Sequence, residues 1–359
     1  MKQLHIEKFK CFHKIDIPLN QLTIFVGANG YGKSTCIQSL LLLKKATSNG
    51  RKIYLDDVFG QNLGTYDHVC NKTDESNEFS ISINTEENEL EDFAFFRGES
   101  EDPSFIMNIS NVKKSDFDGS RLYYLSAERI GPRISQPLAH LSYRNVGVMG
   151  QHTAQVIESF PVSKKLDERR CFPESKNKKL EAQVNEWLGT IFPNVKIKTK
   201  KSLETLTAQI LIGNDFSSEN FTTNIGFGIS YVLPIIVTCL IASENAFVII
   251  ENPEAHLHPT AQAAMGKFLA KMSHAGLNII VETHSDHIIE GIQLYVAENP
   301  EWHDCVTINC FGKKETENQP GIESVIFDEN AVFSAWPEGF MDQSQINFSE
   351  LRRIRKYHG

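Results

Sequence analysis

The run Gly27-Ala-Asn-Gly-Tyr-Gly-Lys-Ser-Thr35 constrains this chain more than any other segment. It has the spacing G-x-x-x-x-G-K-[ST] and sits where that spacing has a physical meaning. The apolar Leu22-Thr-Ile-Phe-Val26 before it reads as a strand. After it, Cys36, Ile37 and Leu40 to Leu43 follow a helical pattern towards Ser48-Asn49-Gly50. Strand, glycine turn and helix in that order bring successive backbone N–H groups to a helix N-terminus, where they can surround an anion. Gly27, Ala28, Asn29, Gly30, Tyr31 and Gly32 form the cradle. Lys33 is placed to neutralise β- and γ-phosphates, Ser34 to ligate Mg²⁺ and Thr35 to lie near the α-phosphate. Gly30 and Gly32 allow close approach of phosphate oxygens without a Cβ in the way. A chance glycine turn before a helix would account for neither the Lys-Ser-Thr run nor both flanks.

Such a loop needs a carboxylate at the end of a neighbouring apolar strand to hold the metal. Phe247-Val-Ile-Ile250 followed by Glu251-Asn-Pro-Glu254 supplies one, and Leu277-Asn-Ile-Ile-Val281 followed by Glu282-Thr-His-Ser285 ends a second strand near His284. Residues 259–274 between them have helical periodicity, so the segment is a β-α-β unit of a parallel sheet. Ligands of open α/β sheets bind at the carboxyl ends of the strands. That rule directs Glu251, Asn252, Glu254 and His284 towards the P-loop. His256, His258, His284 and His287 invite a metal reading, but no cysteine set completes a tetrahedral site, and packing at a helix start is the simpler explanation.

The remaining sequence bounds the partners. A chain of 359 residues suggests two or three packed units. Thirty-six Lys and Arg against 45 Asp and Glu give −9, which excludes a broadly polybasic nucleic-acid binder. The charge is uneven. Residues 72–102 hold eleven acids against Lys72 and Arg97, and the alternation in Phe79-Ser-Ile-Ser-Ile83 reads as solvent-faced antiparallel strands with charged loops. Residues 164–201 hold eleven Lys or Arg against five acids, a local +6. With Arg352, Arg353, Arg355 and Lys356 this segment is a candidate DNA-binding surface, or else a solvated face. No apolar run approaches the ~20 residues of a membrane span, and no secretory apolar region opens the chain. Seven scattered cysteines without a CxxC pair read as thiols of a reducing cytosol. The expected location is cytoplasmic.

Together these segments resemble the ABC-type ATPases of the SMC/RecF/OLD group, and within it the compact bacterial ATPases that carry the element Glu251-Asn-Pro-Glu-Ala-His-Leu-His-Pro259 without a fused nuclease. The likeness also rests on Ile6-Glu-Lys-Phe-Lys10, Tyr124-Leu-Ser-Ala-Glu-Arg-Ile-Gly-Pro-Arg133, Glu282-Thr-His284 and Trp336-Pro-Glu-Gly-Phe340. The middle of the chain contributes nothing to it. The resemblance implies ATP and Mg²⁺ as cofactors and ATP hydrolysis as the reaction. It also puts Asn224-Ile-Gly-Phe-Gly-Ile-Ser230 at the signature loop, which in these ATPases caps the nucleotide of the other subunit in a head-to-tail dimer. Gly226, Gly228 and Ser230 thereby join the nucleotide-binding set.

Two departures from the family pattern matter. Gly226 stands where the signature serine is usual, and Asn252 stands where a second acid polarises the attacking water. An amide orients water but cannot accept its proton. General-base help is worth roughly 10²–10⁴-fold, so slow hydrolysis is expected unless Glu254 or Glu282 substitutes. Related stand-alone ATPases work beside a separately encoded nuclease or toxin in anti-phage defence, which implies an effector partner in trans.

The expected fold is an α/β P-loop ATPase head with a mixed or parallel core sheet, an antiparallel β lobe and a helical insertion. An N-terminal lobe covers about 1–150, a basic helical insertion about 151–205 and a C-terminal lobe about 206–359. Lys33, Glu251, Asn252, Glu254 and His284 are the catalytic candidates, and Ser34 and Glu251 the metal ligands. The expected function is ATP hydrolysis in a homodimer or higher oligomer that gates DNA or a separate effector. The alternative is an ATP-bound scaffold or sensor with negligible turnover. The signature-like loop and the HLHP element disfavour a P-loop kinase.

Overall fold

The computed structural model describes residues 2–49, 52–72, 78–84, 90–98, 105–110, 121–139, 145–161, 163–214, 217–224, 226–313, 319–337 and 339–357. In chain order the strands are β1 (Lys2–Phe9), β2 (Phe12–Leu19), β3 (Leu22–Gly27), β4 (Lys52–Tyr54), β5 (Glu78–Asn84), β6 (Leu90–Arg97), β7 (Phe105–Ser110) and β8 (Leu122–Leu125). They continue with β9 (Gln136–Pro137), β10 (Lys196–Ser202), β11 (Thr207–Asn214), β12 (Ser217–Phe221), β13 (Phe247–Glu251), β14 (Asn278–Glu282), β15 (Val306–Lys313) and β16 (Pro320–Ile326). The helices are α1 (Lys33–Asn49), α2 (Tyr66–Val69), α3 (Thr153–Ser159), α4 (Leu180–Ile191), α5 (Phe227–Ile241), α6 (Pro259–His274), α7 (Asp286–Glu298) and α8 (Gln343–Tyr357).

The central sheet has the order β16-β15-β3-β14-β13-β8. All its pairings are parallel except β15 with β16, so the sheet is mixed. The strands read as unbroken apolar runs because both faces are covered. Leu22, Ile24 and Val26 of β3 face one core with Val248, Ile250, Ile279 and Val281. Phe25, Ile249 and Ile280 face a second core on the other side. The first core is closed by α4 to α7. The second is closed by α1, whose Leu40 to Leu43 are all fully buried, and by the antiparallel sheet β2-β1-β5-β6-β7-β4.

In that antiparallel sheet Phe79, Ile81 and Ile83 point into the core. Ser82 on the opposite face is 1% exposed, so the solvent-facing side expected for this strand is not solvated at that point. The expected charged loops at 73–77, 85–89 and 99–104 lie outside the described residues. Residues 151–205 contain α3, α4 and β10, and β10 is an edge strand that pairs with β11. None of the seven cysteines forms a disulfide. Among the described residues, no helix is long and apolar enough to cross a membrane.

Candidate nucleotide-binding site

The P-loop joins β3 to α1, and two of its glycines are fixed by close packing. Gly27 has φ 124°, and a Cβ there would lie 2.1 Å from the carbonyl oxygen of Phe311 on the adjacent strand. At Gly32, φ 97°, a Cβ would meet the Phe12 ring at 2.3 Å. Ala28, Asn29 and Gly30 are exposed at the tip, while Lys33 is only 3% exposed. Its ammonium donates to the carbonyls of Gly27 (2.8 Å) and Ala28 (2.9 Å). Burial holds the lysine below its ordinary pKa, an effect that the Glu282 carboxylate partly offsets. Thr35 is nearly buried and accepts a hydrogen bond from the Cys11 thiol at 3.7 Å.

Strand order decides which acid comes next. β14 lies between β3 and β13, so Glu282 at its end is closer to the P-loop strand than Glu251, its register partner on β13. The Ser34 hydroxyl donates to the Glu282 carboxylate at 3.3 Å. The two oxygens of Glu251 accept from the Tyr124 hydroxyl (3.0 Å) and the Ala127 N–H (2.9 Å). Both carboxylates are under 10% exposed. Burial raises the pKa of Glu251, while burial and the neighbouring Glu251 charge push Glu282 up to about 7. Two buried acids side by side, with a hydroxyl alongside, form an oxygen-rich and under-neutralised site. That chemistry fits Mg²⁺, a hard cation that takes carboxylate and hydroxyl oxygens.

The switch segment is tied to the carboxylate loop. Glu254 accepts from the Thr283 hydroxyl and from the His284 N–H, each at 2.8 Å. Asn252 has φ 45°, and its N–H donates to the Glu282 carbonyl at 2.8 Å. His284 is exposed and lines a groove of about 940 Å³ shared with Gly27, Ala28, Tyr31 and Phe340. The P-loop, Glu251, Asn252, Glu254 and His284 therefore stand at or just beyond the carboxyl ends of β3, β13 and β14, on one side of the central sheet.

A family described as "AAA domain, putative AbiEii toxin, Type IV TA system" matches residues 22–290, a span that includes Gly27–Thr35 and His284. The chain belongs to this family. A 43-residue stretch of this AAA-family protein is 42% identical to the OLD nuclease of Thermus scotoductus, covering 12% of this chain and 8% of that protein's length. A solved SMC head bound to the C-winged helix domain of ScpA is similar with a TM-score of 0.53 at 13% identity, over 90% of this chain and 97% of that one. The SMC head domain from Thermotoga maritima gives a TM-score of 0.45 at 11% identity, over 89% and 97%. The fold of this AAA-family chain is that of an SMC head.

In this AAA-family chain the turn before α5 packs on the loop that follows β13. Gly226 caps the N-terminus of α5 and is exposed, with nothing within 4 Å of an added Cβ. Phe227 beside it is 54% exposed. Gly228 is buried, and a Cβ there would meet the His256 carbonyl at 2.8 Å. Ser230, one helical turn further on, lines a small cleft with Gly131 and Thr222 instead of the exposed turn.

Sequence reasoning passed over Arg129, which connects the two groups. It is 3% exposed, and its Nη1 donates to the carbonyls of Glu251 (2.6 Å) and Ser126 (2.9 Å), its Nη2 to that of Asn252 (2.6 Å). The guanidinium carbon lies 5.3 Å from the centre of the Tyr231 ring on α5. Burial lowers its pKa to about 10. Tyr231 and Phe227 in turn pack on the His256 ring, with centroids 4.7 and 5.3 Å away. The available signal was a charged residue just beyond the apolar strand Leu122–Leu125. Tyr124 heads the segment Tyr124–Arg133 that carries the family likeness, which assigns it no role in the site, although its hydroxyl holds Glu251. His258 caps α6, accepting from the Thr260 N–H, and among the described residues no cluster of three or more His, Cys, Asp or Glu could hold a metal.

Proposed function

We propose that this chain binds and hydrolyses ATP-Mg²⁺ as a dimer, and that the ATP cycle gates a separately encoded effector in anti-phage defence. The observation that carries the reading is the meeting of Lys33, Ser34, Glu251, Glu282 and the Glu254-held His284 at the carboxyl ends of three adjacent parallel strands. In this reading Lys33 leaves its loop carbonyls for the β- and γ-phosphates. Ser34 and Glu251, with Glu282 beside them, would hold Mg²⁺, which when bound would supply positive charge against the phosphate oxygens. Glu254 keeps the switch segment in place so that His284 faces the γ-phosphate and the attacking water.

The exposed Gly226 turn supports a second copy as the cap. Its backbone N–H groups stand at the N-terminus of α5, where the helix dipole favours an anion. The SMC head that shares this fold is described as bound to a winged-helix domain, which supports a protein partner. The toxin–antitoxin description of the matched family and the name of the OLD nuclease support an effector of toxin or nuclease type. DNA binding through residues 164–201 has less support, because much of that charge is already committed. Arg169 pairs with Asp167 and Glu244, Arg170 is buried on the carbonyls of Cys239 and Ala242, and Lys198 and Lys200 pair with Glu219.

Asn252 favours a second reading, a nucleotide-bound scaffold with negligible turnover. Steady-state ATP turnover of the purified chain against Lys33→Ala separates the two. Turnover well above that of the variant supports hydrolysis. Equal rates with intact ATP binding leave the scaffold.

A further inference from the structure

With Arg169, Arg170, Lys198 and Lys200 accounted for, four lysines of the basic segment remain together. Lys164, Lys165, Lys178 and Lys179 are exposed around one groove of about 530 Å³, and none has a carboxylate partner among the described residues. The floor between them is apolar, made by Ile157, Phe160, Pro161, Leu166 and Leu180. Three glutamates share the lining: Glu181 accepts from the N–H and hydroxyl of Thr199 (3.0 and 2.7 Å), Glu158 accepts from the hydroxyl of Ser159 (3.0 Å), and Glu168 stands at the rim. Those neutral partners leave the carboxylate charges in place, so the four ammonium groups outnumber the acids of the lining by one.

We infer that this groove docks an acidic segment of a partner protein, one that carries apolar side chains between its carboxylates. The chemistry of the walls selects that partner. Four ammonium groups without a carboxylate partner among the described residues, in a chain of net charge −9, are a local attraction for anions. A duplex presents phosphates and sugars to a protein surface and offers nothing apolar to a concave hydrocarbon floor. A single strand would need a bare aromatic face on which to stack. The face of Phe160 is taken by the Lys164 ammonium, 5.9 Å from the ring centre. An acidic, partly apolar peptide satisfies both the rim and the floor. The inference stands apart from the nucleotide site and does not depend on hydrolysis.

The test is fluorescence anisotropy on the full chain with three labelled probes: a 14-residue peptide alternating Glu with Leu and Phe, a 14-residue peptide alternating Glu with Ser, and a 20-base-pair duplex. The Glu/Leu/Phe peptide is expected to bind at least ~10-fold tighter than the Glu/Ser peptide, because only it covers the floor. Lys164→Glu with Lys178→Glu is expected to weaken it by ~10-fold or more, whereas Lys198→Glu with Lys200→Glu leaves it within about twofold. Thermal melting and ATP turnover of the Lys164/Lys178 variant should match the parent, which separates failure here from failure of the nucleotide reading. No binding of the Glu/Leu/Phe peptide, equal affinity for the two peptides, or indifference to the Lys164/Lys178 change overturns the proposal. Duplex binding abolished by that change while peptide binding persists assigns the groove to nucleic acid and also overturns it.

Discussion

The Ser34 hydroxyl lies 3.3 Å from the carboxylate of Glu282, on the strand that separates the P-loop from Glu251. The acid nearest the Walker-type serine is thus not the one that ends the Phe247–Glu251 strand. It is buried against that acid, so the site holds two negative charges where a protein without a cation prefers one.

Stability should follow the titration of Glu282. Its folded pKa is raised from 4.5 to about 7, so the folded chain holds a proton that the unfolded chain has lost between those values. The raised acid therefore contributes most stability at low pH, and that contribution is lost as pH rises through about 7. The full effect is on the order of 3 kcal/mol. Glu282→Gln is expected to raise the melting temperature at pH 8 by several degrees and to flatten its slope between about pH 5 and 8. An unchanged slope in the variant, measured by calorimetry without nucleotide, counts against the assignment.

Asn252 occupies a left-handed conformation that asparagine tolerates and glutamate adopts at a cost of about 1 kcal/mol. If hydrolysis lacks only its base, Asn252→Glu should still raise turnover by about 10²-fold. A flat result with ATP binding intact means that another carboxylate already acts, and Glu282 is the one beside Ser34.

Glu254 uses both oxygens as acceptors, for the Thr283 hydroxyl and the His284 N–H. Glu254→Gln presents one acceptor and one donor to two donors, at a local cost of ~1–3 kcal/mol. The expected outcome is a turnover at least ~10-fold lower, with nucleotide affinity within about threefold of the parent. Loss of affinity equal to the loss of rate would show that Glu254 acts in binding and not on the switch segment.

The two glycines around Phe227 should respond in opposite ways. Gly228→Ala drives a Cβ to 2.8 Å from the His256 carbonyl and should lower the melting temperature. A Cβ at Gly226 meets nothing within 4 Å, so Gly226→Glu should keep stability and ATP binding while ATP-dependent dimerisation and turnover fall by ~10-fold or more. Light scattering with and without ATP checks the dimer. Persistence of an ATP-dependent dimer in Gly226→Glu would place the capping surface elsewhere.

Arg129→Met strips hydrogen-bond donors from the carbonyls of Ser126, Glu251 and Asn252 in a buried setting. A loss of ~2–4 kcal/mol is expected by chemical denaturation. A loss under 1 kcal/mol would show that water or relaxation replaces the guanidinium.

Much of the central architecture was legible because local pattern and tertiary outcome agree. The P-loop spacing, the apolar runs at β3, β13 and β14 and the periodicity of α6 each specify one element whatever surrounds it. The candidate site was legible only in part. Glu251, Glu254 and His284 follow visible strands, whereas Arg129 and Tyr124 lie more than 120 residues from the acid they hold. No local spacing encodes that approach. The basic segment misled in a similar way, since its sum of +6 does not distinguish charges paired to Asp167, Glu219 and Glu244 from those left over.

The sequence by itself determined which residues make the phosphate cradle and which strands end in acids, because glycine spacing and hydrophobic period act over a few neighbouring residues. Tertiary structure alone decided that Glu282 stands between the P-loop and Glu251, that Arg129 bolts the Glu251 loop to α5, and that the Gly226 turn faces outward. Those relations depend on strand order and on contacts across the core, which come into being only when distant segments pack.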